Sequence, residues 1–232
     1  MKPKILALVA FICLVSSCTS IEGTRNKSYT HRNSGSCDKM TKVAILPIEE
    51  TSKFPLLPEL LEQRINQELV SVYPGIQIID PPEFGYELQQ HNKLESFSSW
   101  YMSYKTTKYI DFNKLNEAVE CLGTDYLLSI RSLDIDREKI HAVDAGYSGM
   151  VSDANNVYRT NLKFIGELID IRQQKIVWQG IGYSENINSP RRPLDLFFII
   201  KNQKNPEIES FLNELVSVAA KGFVSEMAKL KN

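Results

Sequence analysis

The apolar residues of the chain fall into two kinds of pattern, and these patterns predict its strands and helices. Three short runs rich in β-branched residues, at 42–48, 76–79 and 124–130, are typical of strands buried in a sheet. Residues 158–168 alternate between apolar and polar side chains, and a second apolar run follows a polar turn, so 158–184 is predicted to be a β-hairpin. Apolar positions three and four residues apart predict helices that begin at Pro58, near Phe84, at Asp111 and after Asn205.

The order of these elements predicts the fold class. It is β-α-β-α-α-β-β-β-α, in which strands and helices do not alternate strictly, and such a mixture favours an α+β fold. We therefore expect one mixed β-sheet of about five strands with helices packed against it. The chain has 232 residues, of which 43% are hydrophobic, and this is enough for a single domain with its own core.

The N-terminus has the pattern of a secretory signal. Two lysines precede an uninterrupted apolar run of 11 residues, Ile5–Val15, which is too short to span a bilayer as a stable helix. The run ends in Val15-Ser16-Ser17-Cys18, which resembles the bacterial lipobox, whose cysteine thiol receives diacylglycerol. An ordinary cleaved signal with an incidental cysteine is the alternative. Because Thr19 rather than Asp follows Cys18, the resemblance implies sorting to the outer membrane.

The polar segment after the lipobox divides the chain into three predicted parts. Residues 1–17 are the lipoprotein signal peptide, and 18–40, which lack apolar periodicity, are predicted to be a lipidated flexible tether. Residues 41–232 are predicted to be a single α+β periplasmic domain. The mature protein would then face the periplasm and contact the membrane through the lipid on Cys18.

Cysteine usage suggests one disulfide. With residues 1–17 removed and Cys18 lipidated, Cys37 and Cys121 are the remaining thiols, and an oxidising periplasm would allow them to pair. Two unrelated thiols, one of them buried at the end of a helix, are the alternative.

Charge and motifs exclude several classes of function. The 27 Lys and Arg residues are balanced by 28 Asp and Glu residues, which argues against a nucleic-acid binder. Neither HExxH nor CxxC occurs, so no metal site and no cofactor are predicted. Asp134 and Asp136 would share one face of a strand, as carboxylates do in calcium sites and glycosidases, but a solvated strand end explains them as well. We expect a protein that is not an enzyme.

Four aromatic residues recur at helical spacing in an otherwise polar stretch, and they are candidates for partner binding: Phe97, Trp100, Tyr101 and Tyr104. Aromatic side chains with polar tips suit a binding surface. A satellite core packed onto the domain would produce the same pattern, so residues 92–110 have two interpretations. The same choice between burial and an exposed contact site holds for residues 186–204, which contain Phe197-Phe198-Ile199-Ile200.

Four segments together resemble a group of bacterial envelope proteins, namely 43–48, 122–128, 168–171 and 175–180. The group includes the curli-secretion lipoprotein, outer-membrane lipoprotein activators of penicillin-binding proteins and the N-terminal domain of the Tol-system propeller protein. They share a small α/β domain, and the resemblance covers about residues 42–230. The chain departs from the pattern at Gln173-Gln174, where Gly is missing from the hairpin turn, and at 92–110 and 186–204, which look like insertions.

The lipobox, the tether and the resemblance predict a membrane-anchored lipoprotein that acts as a non-catalytic protein-interaction or regulatory module. Its partner would be another envelope protein. The alternative is an auxiliary lipoprotein subunit of an envelope transport or secretion complex, able to form a homo-oligomer. A third hypothesis is a hydrolase that uses Asp134, Asp136 or His141.

Overall fold

The structure is a computed structural model, and it describes residues 23–33, 40–48, 54–140, 157–188 and 205–231. The predicted signal peptide, the lipidation site Cys18, Cys37, His141 and the apolar stretch around Phe197 lie outside the described residues.

The described residues form seven strands and five helices. The strands are β1 (Gly23–Asn26), β2 (Tyr29–Asn33), β3 (Lys42–Ile45), β4 (Gln77–Ile79), β5 (Tyr126–Ile140), β6 (Val157–Asp170) and β7 (Lys175–Asn188). The helices are α1 (Leu57–Val72), α2 (Pro81–Gln90), α3 (Leu94–Thr107), α4 (Phe112–Val119) and α5 (Pro206–Ala228). Single 3₁₀ turns follow α4 and α5, at Glu120–Leu122 and Lys229–Lys231.

All seven strands belong to one mixed sheet. Its order is β1-β7-β6-β5-β3-β4, and β2 also pairs with β7. Strand β3 runs parallel to β4 and β5, whereas β5, β6 and β7 form a long antiparallel meander. The α+β class and the mixed sheet are thus confirmed. The predicted five strands and their order are wrong, because β1 and β2 precede the predicted first strand and α3 is an additional helix.

The first two strands correct the prediction of a flexible tether for residues 23–33. Gly23–Asn26 pairs with the end of β7, and Tyr29–Asn33 pairs with its middle, both antiparallel. Side chains hold this ribbon as well: the indole Nε1 of Trp178 donates to Thr30 Oγ1 at 3.2 Å. Backbone pairing at an edge requires no apolar alternation, so a polar sequence forms strands here.

Local signals explain where the helices begin and end. The side chains of Asp80, Asp111 and Asn205 each accept a hydrogen bond from a backbone N–H in the first turn of α2, α4 and α5, at 2.9, 3.2 and 2.9 Å. Gly123, at φ +56°, ends the 3₁₀ turn after α4 in the left-handed conformation. Among the described residues, no helix combines the length and the apolar character that crossing a bilayer requires.

The sheet separates two hydrophobic cores. Helices α1 and α5 cover one face, where Phe223 contacts Phe164 and Trp178 with ring centroids 4.9 Å apart in each pair. Helices α2, α3 and α4 cover the other face, but only over the end of the sheet that carries Ala44, Leu46, Leu127, Ile169 and Ile171.

Candidate interaction surface

The four aromatic residues predicted to bind a partner pack into the second core. Phe97, Trp100 and Tyr104 are buried, and Tyr101 is half-buried. Phe97 meets the Phe84 ring of α2 edge-on at 4.8 Å, and Trp100 stacks on Tyr104 at 5.3 Å between ring centroids. The structure therefore corrects the docking interpretation: this face of α3 is turned toward the sheet, as the satellite-core alternative described.

Beneath α3, a buried carboxylate holds this helix to the sheet. The Glu167 side chain is 2% exposed, and it accepts hydrogen bonds from the Tyr104 hydroxyl, from Arg131 Nη2 at 2.5 Å and from Gln179 Nε2 at 2.7 Å. Burial first, and then the negative charge and hydrogen bond of Glu167, raise the pKa of Tyr104, which stays a neutral donor. Because three donors from α3 and the sheet satisfy the buried Glu167 carboxylate, we interpret the cluster as structural.

The rest of this sheet face is not covered by α2, α3 or α4. Side chains alternate across the strands, so Asp134 and Asp136 of β5 share a face with Lys163 of β6 and Tyr183 of β7. The two aspartates and Lys163 are exposed. The long meander thus presents an open, mixed polar and aromatic surface.

A cleft of about 320 Å³ lies on this open face, and we call it the open-face cleft. It is lined by Lys27, Tyr29, Lys163, Ile181 and Tyr183. Strand pairing places Tyr29 beside Ile181 and Lys163 beside Tyr183, which explains how three strands and the short link between β1 and β2 converge there. Tyr29 is 49% exposed, a large value for an aromatic residue at the mouth of a cleft.

Hydrogen bonds orient the polar groups around the open-face cleft. The Tyr183 hydroxyl donates to Asn161 Oδ1 at 2.8 Å, and burial followed by the charge of Glu185 raises the pKa of Tyr183. Glu185 is almost fully buried and forms ion pairs with Lys27 Nζ and Arg159 Nε, each at 2.9 Å. The tyrosine therefore stays neutral, and the lysine at the rim is held in place by a buried partner.

The chemistry of the open-face cleft suits binding. It combines two phenols and one aliphatic side chain with two amines; tyrosine is enriched at protein-binding surfaces, and charged side chains are found at their rims. Asp134 and Asp136 lie on the same face, but within the described ranges no three His, Cys, Asp or Glu side chains gather closely enough to hold a metal ion.

Cys121 lies in the 3₁₀ turn after α4 and is partly buried. Burial raises the pKa of its thiol, which is therefore protonated and weakly nucleophilic at neutral pH. The thiol makes no disulfide with any residue that the structure describes. Its predicted partner, Cys37, and the lipidation site Cys18 both lie outside the described residues.

Sequence reasoning missed the open-face cleft for a clear reason. Lys27 and Tyr29 lie in the segment predicted to be a tether, so they were not expected near the sheet. The sequence does indicate the position of Lys163 and Tyr183, because both lie on the polar side of the predicted hairpin, which was expected to be exposed to solvent.

No protein-family model and no curated protein matches the chain. Among solved structures, it is similar to the PelC dodecamer from Paraburkholderia phytofirmans, with 11% identity, a TM-score of 0.39, and coverage of 86% of this chain and 97% of that one. The minor lipoprotein from Acinetobacter baumannii has 12% identity and a TM-score of 0.40, with 82% and 94% covered. Lipoprotein GNA1162 from Neisseria meningitidis has 11% identity and a TM-score of 0.38, with 75% and 99% covered. Similarity at this level assigns neither a family nor a function.

Proposed function

We propose that the protein is a lipid-anchored protein of the bacterial envelope whose open sheet face binds another envelope protein. The sequence Val15-Ser16-Ser17-Cys18 supports the anchor, and the open-face cleft supports the binding role. In this role the protein catalyses no reaction, its domain lies in the periplasm and its lipid lies in the outer membrane.

The open-face cleft carries the proposal. Tyr29 and Tyr183 offer aromatic area with few rotatable bonds, and Ile181 supplies an apolar floor. Lys27 and Lys163 stand at the rim, which favours a partner segment with apolar side chains flanked by carboxylates. The site resembles the core and rim arrangement of transient protein interfaces.

Photocrosslinking in cells tests the binding role. A benzophenone amino acid replaces Tyr29 in the full-length protein, and in a matched control it replaces Tyr86 of α2, which is 59% exposed and does not line the cleft. We expect a covalent adduct of defined mass from position 29 and none from position 86. Equal adducts at both positions, or none at position 29, would contradict the proposal. An adduct of twice the mass of the chain would show that the partner is a second copy.

Charge reversal provides an independent test of the same surface. Lys163→Glu should weaken recovery of the adduct from position 29, because Lys163 is exposed at the cleft and a reversed charge repels an acidic partner. Lys114→Glu is the matched control, since this exposed lysine lies on α4. Unchanged recovery with both variants would exclude the acidic partner segment.

Incorporation of radiolabelled palmitate tests the anchor. We expect the wild-type protein to be labelled and to fractionate with the outer membrane, and Cys18→Ser to be unlabelled. A wild-type protein without label would refute the lipid anchor.

A further inference from the structure

The chain joins the sheet close to the proposed lipid attachment site. Gly23 pairs with Ile187 and follows Cys18 by five residues. An extended chain spans at most about 3.6 Å per residue, so Cys18 lies within about 18 Å of Gly23. If residues 18–40 were all a flexible tether, the domain could lie up to about 80 Å from Cys18 by the same measure. Pairing of β1 with β7 therefore restricts how far the sheet can lie from the lipid.

Strand direction decides which end of the sheet is restricted. Strand β1 runs antiparallel to β7, so its first residue lies beside the last residues of β7. Continuing the register across the sheet, Ile187 pairs with Arg159, and Arg159 pairs with Glu138. We call this end, with Lys139 next to Glu138, the Lys139 end. The opposite end is the turn that leads into β7 at Lys175, and we call it the Lys175 end.

The meander is so long that only one of its two ends can lie close to the lipid on Cys18. Strand β6 has 14 residues and runs from one end to the other, which corresponds to about 43 Å at the usual rise of a strand. This distance is more than twice the reach of the segment between Cys18 and Gly23. A lipid on Cys18 therefore keeps the Lys139 end near the bilayer. If the strands are roughly perpendicular to the membrane, the Lys175 end lies in solution.

The side chains at the Lys139 end suit a headgroup layer. Lys139 is exposed, and the Arg137 guanidinium lies 4.8 Å from the centroid of the Tyr158 ring. Lys, Arg and Tyr side chains combine an apolar stem with a polar tip, a property that favours the boundary between lipid and water. Arg159 is paired with Glu138 at 2.8 Å, so both signs of charge are present, as in a phospholipid headgroup.

We propose that the Lys139 end is a membrane-contact surface whose partner is the phospholipid headgroup layer that holds the Cys18 lipid. This inference rests on the proposed lipid anchor and adds an orientation to it. In this orientation the ends of β5 and β7 and the start of β6 point toward the bilayer. The α2, α3 and α4 layer, which covers the sheet near the Lys175 end, faces away from the membrane.

Lysine labelling of the anchored protein tests the orientation. The full-length lipidated protein is inserted into preformed vesicles of phosphatidylethanolamine with about one quarter phosphatidylglycerol, treated with an acetylating reagent and digested for mass spectrometry. We expect Lys139 to react about fivefold more slowly in vesicles than in detergent, the factor expected for a basic side chain at a lipid surface. Lys175, at the opposite end of the same sheet, should react at the same rate in both.

A longer linker is the matched control. About 20 Gly and Ser residues inserted between Thr19 and Ser20 keep the lipid and release the restraint, so the Lys139 rate should return to its detergent value. Equal protection of Lys139 and Lys175 would overturn the proposal, because it would show a domain lying flat on the bilayer. Absence of Lys139 protection would overturn it as well.

Flotation of the same samples separates this proposal from the anchor itself. Wild-type protein that floats with vesicles while Lys139 stays reactive would refute only the membrane-contact surface. Wild-type protein that fails to float, behaving like Cys18→Ser, would refute the lipid anchor and the orientation with it.

Discussion

At the scale of single residues, glycines in the sheet make room for the aromatic core. A Cβ on Gly166 would lie 2.2 Å from the Phe223 ring and 3.0 Å from Ile130. Gly166→Ala should therefore lower the free energy of unfolding by about 1–3 kcal/mol, as overpacking does. Urea denaturation measures this change.

Gly85→Ala is the control for this prediction. Gly85 lies inside α2, and a Cβ there meets nothing within 4 Å. Alanine should raise the free energy of unfolding by about 0.5–1 kcal/mol, because it has the higher helix propensity. A Gly166→Ala variant as stable as the wild type would show that the ring of Phe223 can move aside.

Glu62 is a residue whose charge opposes folding. Burial raises its pKa above the usual value, with Asp80 and Glu59 adding repulsion, although the Ile48 N–H donates to its carboxylate at 3.1 Å. A raised pKa in the folded state gives stability that is present in acid and is lost as the pH rises through that pKa. Glu62→Gln keeps the acceptor and removes the charge.

Glu62→Gln should raise the free energy of unfolding at pH 7, by less than about 1 kcal/mol because the side chain is only partly buried. The gain should shrink as the pH is lowered toward 4. Thermal unfolding of both proteins over this range measures it, and a gain that is independent of pH would mean that repulsion and desolvation are not its cause.

At the scale of elements, a hydrogen bond from Tyr104 to the buried Glu167 carboxylate adds to the aromatic packing that attaches α3 to the sheet, and the ion pair with Arg131 holds that carboxylate in place. Tyr104→Phe removes a hydrogen bond to the buried Glu167 carboxylate, at an expected cost of about 1.5–3 kcal/mol. Glu167→Ala leaves the Arg131 guanidinium, 20% exposed, without its carboxylate, and should cost about 3–5 kcal/mol. Chemical denaturation measures both, with Tyr109→Phe as the neutral control because Tyr109 is 74% exposed. A larger cost for Tyr104→Phe than for Glu167→Ala would contradict this order.

The sequence predicts elements that carry their own signals and misses those that depend on distant partners. The cap Asp111, the stop at Gly123 and the Asn205 cap before Pro206 act locally, so α4 and α5 were placed correctly. Residues 23–33 form strands only because β7 offers its backbone, a partner more than 140 residues away along the chain. The aromatic residues of α3 recur at helical spacing, but α3 was not among the predicted helices, and spacing alone does not tell which surface an aromatic face meets.

At the scale of the whole molecule, the fold brings the turn that holds Cys121 next to the start of the third strand. Lys42 Nζ donates to the carbonyl oxygen of Leu122 at 2.6 Å, and Thr124 Oγ1 donates to the carbonyl oxygen of Lys42 at 3.0 Å. Cys37 precedes Lys42 by five residues, so an extended chain reaches at most about 18 Å from Lys42. Cys121, one residue before Leu122, lies within the range that this chain length allows.

A disulfide between Cys37 and Cys121 is therefore the last prediction, and it would close a loop of 84 residues. Loop closure of this length lowers the entropy of the unfolded chain and should contribute about 4–5 kcal/mol. Non-reducing peptide mass spectrometry of protein exported to an oxidising compartment should show the linked peptides. Cys37→Ser and Cys121→Ser should each lower the melting temperature, and the double variant should lose no more than either single variant, since one bond is removed in all three. Reductant should destabilise only the wild type, and alkylation of both thiols in the native protein without reductant would contradict the pairing.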